Sequence, residues 1–273
     1  MKSLKIVLAL LIFLFMNQYG HDFTIVEASF NNGELKFGYL LHFLQGIKEY
    51  LSFEYFIVHI FYGFFVVFSL QKITKSNLLV TALVLFIFGP ILNEQVRFFS
   101  SLFLTLLNPL TIPISLGIHP AAGLLGISFW VVKKILHKIL INRWLSIGLV
   151  CLSFIIAPVI GNLTKQYAYI LNYGYSYTPF FSQASFSALI LKIFIISYLV
   201  FLRKERSLIA TYLITISLIF NEIAIISGRT LIACIILLLL TELSKTKINL
   251  RKMSFKVGFG LILLLISYYR FRL

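Results

Sequence analysis

The sequence predicts an all-α fold, a polytopic transmembrane helical bundle of about nine or ten spans with a re-entrant or broken helical hairpin at residues 98–118. Three observations predict it. Of the 273 residues, 60% are hydrophobic and 12% charged, with a mean hydropathy of +0.97, which leaves too little polar surface to clothe a water-soluble domain. The apolar residues form continuous runs recurring about every 25 residues, the length of a spanning helix plus its loop, unlike the short alternating strands of a barrel. The basic residues, which set the net charge at +15, cluster between those runs, as cytoplasmic loops require. The charge therefore reports topology, and no nucleic-acid partner is expected.

The elements follow in order. Met1-Lys-Ser-Leu-Lys5 and the apolar run Ile6 to Met16 have the basic and apolar parts of a secretion signal. They lack a small-x-small cleavage site and precede many further runs, so an uncleaved first helix is expected over 4–19, its N-terminus in the cytoplasm. Residues 17–52 then form a long outer connection that ends in an amphipathic stretch up to Tyr50. Apolar runs at 53–70 and 77–92 predict two spans, separated by Lys72 and Lys75 on the inner face. Further spans are expected at 120–136, 144–160, 184–202, 207–221, 228–242 and 254–269, with inner basic clusters at Lys133/Lys134/Lys138/Arg143, Arg203/Lys204/Arg206 and Lys245/Lys247/Arg251/Lys252. A second long outer connection covers 161–183. Residues 1–273 are read as a single integral membrane domain at the bacterial cytoplasmic membrane.

Residues 98–118 follow from counting crossings. Holding both 71–76 and 133–143 inside requires an even number of passes between them, yet the runs 98–107 and 110–118 are too short to span. Ten helical residues rise about 15 Å, half the hydrocarbon thickness. Asn108-Pro109 and Pro113 supply the break. A hairpin that dips in from outside and returns leaves Arg97 and His119 at one outer level, in a segment with no other ionisable residue. Non-helical backbone at that depth must be lined by protein or by a water-filled cavity.

Charge retained in apolar sequence singles out candidate site residues. Arg97 offers a planar fork for phosphate oxygens, or snorkels to head groups or pairs with Glu94. His119 offers an acid, base or phosphate donor near neutral pH, or a hydrogen bond to the fold. Arg229, in Ser227-Gly228-Arg229, either joins Arg97 around one anion or marks a helix end. Lys192 lies mid-span, either in a site or with its stem reaching a boundary. Tyr173, Tyr175 and Tyr177 in the second outer connection present aromatic faces suited to sugar rings, or form an interfacial belt. Asp22, Glu34, Glu94 and Glu222 are the outer carboxylates from which an activating base would come.

Other features exclude functions. No Gly-x-x-x-x-Gly-Lys-Ser/Thr or Gly-x-Gly-x-x-Gly occurs, so no nucleotide fingerprint is present. Asp22 is the only aspartate, which removes any Asp-x-Asp metal site. Cys151 and Cys234 fall within runs and lack metal-ligand spacing, so both are read as packing residues. Neither a cofactor nor a metal is expected. The absence of internal repeats gives no support to an inverted-repeat transporter.

Asp22, then Glu34 before Phe37-Gly-Tyr39, Gln95-Val-Arg97 opening a helix, Ile118-His119-Pro-Ala-Ala and a late Arg229 together resemble the EpsG/Wzy-type family of exopolysaccharide and O-antigen repeat-unit polymerases. The similarity covers most of the chain. The segment Asn108 to Pro113 stands where the family carries a basic cytoplasmic loop, and the family's Arg-Gln order is reversed. The resemblance implies a metal-independent glycosyltransferase that moves a growing glycan from undecaprenyl diphosphate to the next lipid-linked repeat unit at the outer face. It implies Arg97, Arg229 and His119 at the departing diphosphate, a base among Asp22, Glu34, Glu94 and Glu222, and partners that include the bilayer and assembly proteins such as a chain-length regulator. A lipid-linked glycan flippase and a surface-sugar acyltransferase are the alternatives.

Overall fold

A computed structural model describes residues 21–32, 39–51, 54–76, 78–141, 143–170, 186–199 and 208–245. The spans expected at 4–19 and 254–269 lie outside these residues. The described chain is all-helical, with no strand: α1 (His21–Asn31), α2 (Tyr39–Leu51), α3 (Tyr55–Thr74), α4 (Leu78–Glu94), α5 (Val96–Leu107), a 3₁₀ turn (Pro109–Thr111), α6 (Ile112–Ile118), α7 (Pro120–Ile141), α8 (Arg143–Ile170), α9 (Phe186–Ser197), α10 (Leu208–Ile219) and α11 (Ala224–Lys245). Among the described residues, three segments are long and apolar enough to cross a bilayer: Tyr55–Thr74, Ile147–Thr164 and Ala224–Ser244. The protein is a helical membrane protein.

Several boundaries differ from expectation. The described part of the connection 17–52 is helical, carrying α1 and α2, and α8 runs on to Ile170, ten residues into the second connection. Apolar side chains at helical spacing continue through both, so hydropathy alone ended the elements too early. Arg229 does not open its helix; α11 begins at Ala224, five residues earlier. Cys234 is buried, but Cys151 is exposed and is no packing residue.

The chain divides into two compact units. The first takes 1–130 and 236–273. Its centre is the pairing of α3 with α5, flanked by α1, α4 and α6. Val66, Val67 and Leu70 of α3, and Phe99, Leu102 and Phe103 of α5, are all at zero exposure. Every residue of α5 from Val96 to Leu106 is buried. A half-helix enclosed on all sides in this way satisfies the condition for broken backbone within a membrane.

The second unit comprises 131–235. Here α10 packs on α8 and α9. Leu152, Ile155, Val159 and Leu163 of α8 are exposed, an apolar stripe at helical spacing that suits lipid contact and would be a liability in water.

Candidate functional site

The hairpin of the first unit is built by its own polar side chains. Pro109 removes a backbone donor just where α5 must end, and Asn108 caps the turn by accepting from the Leu110 N–H at 3.0 Å. Thr111 donates to the Leu104 and Asn108 carbonyls, each at 2.7 Å. Further along, the Ser101 hydroxyl lies 2.7 Å from the Ser115 carbonyl and 3.1 Å from that of His119. At the open end, Arg97 Nη2 donates to the Ile118 carbonyl at 3.1 Å. The contacts 104–111, 101–115 and 97–118 define an antiparallel pair of half-helices. They bring Arg97 beside the peptide that leads into His119.

Arg97 is 5% exposed, so its guanidinium lies within protein and does not snorkel into lipid. His119 is half-buried. Its extended backbone (φ −153°, ψ 98°) separates α6 from α7, and its ring stands edge-on to Phe98 with centroids 5.5 Å apart. The Ala122 N–H points to Nδ1 at 3.4 Å, so His119 caps the N-terminus of α7. In the neutral ring this contact places the proton on Nε2.

Close helix approach fixes the base of the hairpin. A Cβ on Gly126 of α7 would lie 2.2 Å from Thr105 Cγ2 of α5, and Trp130 Nε1 donates to the Thr105 carbonyl at 2.7 Å. From α2, the Tyr39 hydroxyl donates to the Pro113 carbonyl, and its ring lies against Gly117. Thus Tyr39, at the end of the early Phe-Gly-Tyr segment, packs on α6.

A second polar group on the first unit carries no obvious motif. On α3, Tyr55, His59 and Tyr62 follow i, i+4, i+7 spacing and are all buried. His59 Nε2 is hydrogen-bonded to Asn93 Oδ1 of α4, and the His59 ring meets Phe23 of α1 edge-on at 4.9 Å. Tyr62 stands on α3, the helix that packs against α5 and its Arg97. A histidine inside a long apolar run was the available signal, because an intramembrane ionisable group requires a partner.

In the second unit, Lys192 of α9 is fully buried. Its ammonium donates to the Ser217 carbonyl at 3.0 Å, Asn221 Oδ1 at 2.7 Å and the Ser227 hydroxyl at 2.6 Å. Ser217 and Ser227 exchange hydroxyl-to-carbonyl bonds of 2.8 Å in both directions. Lys192 therefore ties α9 to both α10 and α11. Glu222 lies half-buried in the turn between α10 and α11, its Cβ against Gly161 of α8. Arg229 is half-buried, two residues beyond Ser227.

The carboxylates are placed unevenly. Glu94 is exposed at the end of α4. Asp22 sits in the first turn of α1, its side chain outside the described set. Glu34, Tyr173, Tyr175 and Tyr177 lie outside the described residues. Among the described residues, no group of three or more His, Cys, Asp or Glu side chains is arranged to hold a metal.

No protein-family model, curated protein or solved structure matches this chain. Function must therefore be argued from the side chains.

Proposed function

We propose that the protein is a repeat-unit polymerase of the bacterial cytoplasmic membrane. It transfers a growing glycan from undecaprenyl diphosphate to the next lipid-linked unit at the outer face. In this reading the chain makes about nine or ten crossings, its N-terminus is cytoplasmic, and α5 with α6 re-enters from outside. The observation that supports it is the buried Arg97, fixed by its bond to the Ile118 carbonyl one residue before His119.

The chemistry asks for such a group. As the acceptor hydroxyl attacks the anomeric carbon, the bond to the diphosphate oxygen breaks and negative charge gathers on the leaving group. A prepositioned guanidinium stabilises that charge without reorganising, and low local dielectric strengthens the effect. His119 supplies a second donor or a proton relay. Asp22, Glu34 and Glu94 are the candidate bases.

The test is complementation of a strain lacking the native gene. Arg97→Lys keeps the charge but loses the planar fork. The polymerase reading expects shortened glycan ladders with single repeat units still displayed. If single units instead fail to reach the outer surface, the protein is a flippase.

A further inference from the structure

The hairpin accounts for one flank of Arg97, and the paired helices α3 and α5 carry two buried hydroxyl groups without a partner among the described residues. On α3, Tyr62 is 1% exposed, and its hydroxyl has no hydrogen-bond partner among the described residues. The helix that carries Tyr62 packs against α5, which carries Arg97. On α5, Ser100 lies one turn beyond Arg97, fully buried, and its hydroxyl likewise has no partner among the described residues. Successive helical residues are about 100° apart, so Ser100 and Ser101 fall on opposite flanks of Arg97. Ser101 bonds to carbonyls at the α6 end of the hairpin, which leaves Ser100 on the flank turned away from it.

A buried hydroxyl without a partner weakens a fold, and a phenylalanine would fill the Tyr62 site without that penalty. Serine at 100, where alanine would pack, has the same cost. Two such donors on the two helices that pack most closely in this unit, both associated with one buried cation, match the needs of a bound oxyanion. Neutral hydroxyls add hydrogen bonds without adding positive charge to a buried site, so their desolvation is cheaper than that of a second guanidinium.

We infer that Tyr62, together with Ser100 and Arg97, donates to the phosphate oxygens of a lipid-linked diphosphate, which makes Tyr62 a further substrate-binding residue. The inference takes the lipid from the polymerase reading and the anion from the side chains themselves.

Tyr62→Phe removes one oxygen and keeps the ring. Binding of geranylgeranyl diphosphate and of inorganic pyrophosphate is measured on the purified full-length protein in detergent, together with its ligand-free melting temperature. The expected result is a loss of affinity for the lipid diphosphate of about tenfold to a hundredfold, the range for one hydrogen bond to a charged group, with an unchanged or higher melting temperature. Unchanged affinity would overturn the inference, and so would a lower ligand-free melting temperature, which would show that the hydroxyl serves the fold. Equal affinity for the two probes would overturn the lipid-linked assignment. Tyr62-dependent binding of the lipid diphosphate, alongside glycan ladders that stay normal when the gene itself is deleted, would support this site while removing the polymerase reading.

Discussion

At the scale of single residues, His119 combines a helix cap with its proposed chemistry, and one pair of substitutions separates the two. Asparagine is among the best N-cap residues, whereas alanine caps poorly. His119→Asn is therefore expected to melt close to the parent, while His119→Ala loses about 1 kcal/mol. Both are expected to abolish glycan lengthening in the complementation assay, because neither side chain titrates near neutral pH. Retention of long ladders by His119→Asn would reduce His119 to its capping role. Lys192 calls for the opposite outcome. Three oxygens already surround its ammonium, so Lys192→Met is expected to destabilise by about 1–3 kcal/mol, as buried acceptors lose their donor. Thermal melts in detergent would show this, whereas a residue serving substrate alone would leave the melting temperature unmoved. These residues also mark what can be read from sequence. Arg97, His119 and Lys192 stand out because charge in apolar sequence is conspicuous. Tyr62 and Asn93 do not, because a tyrosine and an asparagine are unexceptional until α3 and α4 place them beside Arg97 and His59.

At the scale of elements, the hairpin shows which signals were legible. Its break was plain in the sequence, since Asn108-Pro109 and Pro113 cannot continue a helix of spanning length. The depth of its burial was not, because burial depends on α3, which lies far away in sequence, and on the close approach of Gly126 to Thr105. In the early connection, Phe23, Val26 and Phe30 fall at helical spacing, and α1 buries them, with Phe23 and Phe30 packing on Tyr55. Gly126 offers the sharpest test of the packing. A methyl group there would sit 2.2 Å from Thr105 Cγ2, too close for a minor adjustment in a buried half-helix. Gly126→Ala is expected to lower stability by about 1–3 kcal/mol through overpacking. At Gly148, where an added Cβ meets nothing within 4 Å, the same substitution is expected to leave stability unchanged or slightly improved. Parallel melts of the two variants compare crowding with helix propensity directly.

For the whole molecule, the decisive quantity is the side of the membrane on which the two ends of the hairpin emerge. The expected side follows from reading the basic clusters as inner and the crossings as even in number; the antiparallel bonding of Arg97 to Ile118 places the two ends of the hairpin together. A complete crossing between them would instead separate them by the bilayer thickness of about 30 Å. Single cysteines on a background lacking Cys151 and Cys234 distinguish the two arrangements. Glu94→Cys and Ala121→Cys replace exposed residues on either side of the hairpin, and Lys75→Cys replaces an exposed residue just past the C-terminal end of α3, expected on the inner side. With a membrane-impermeant maleimide on intact cells, the first two are expected to label and the third only after permeabilisation. Labelling of positions 94 and 121 from opposite sides would turn α5 and α6 into part of a span. That result would take from Arg97 the outer-face location that a lipid diphosphate presented from outside requires.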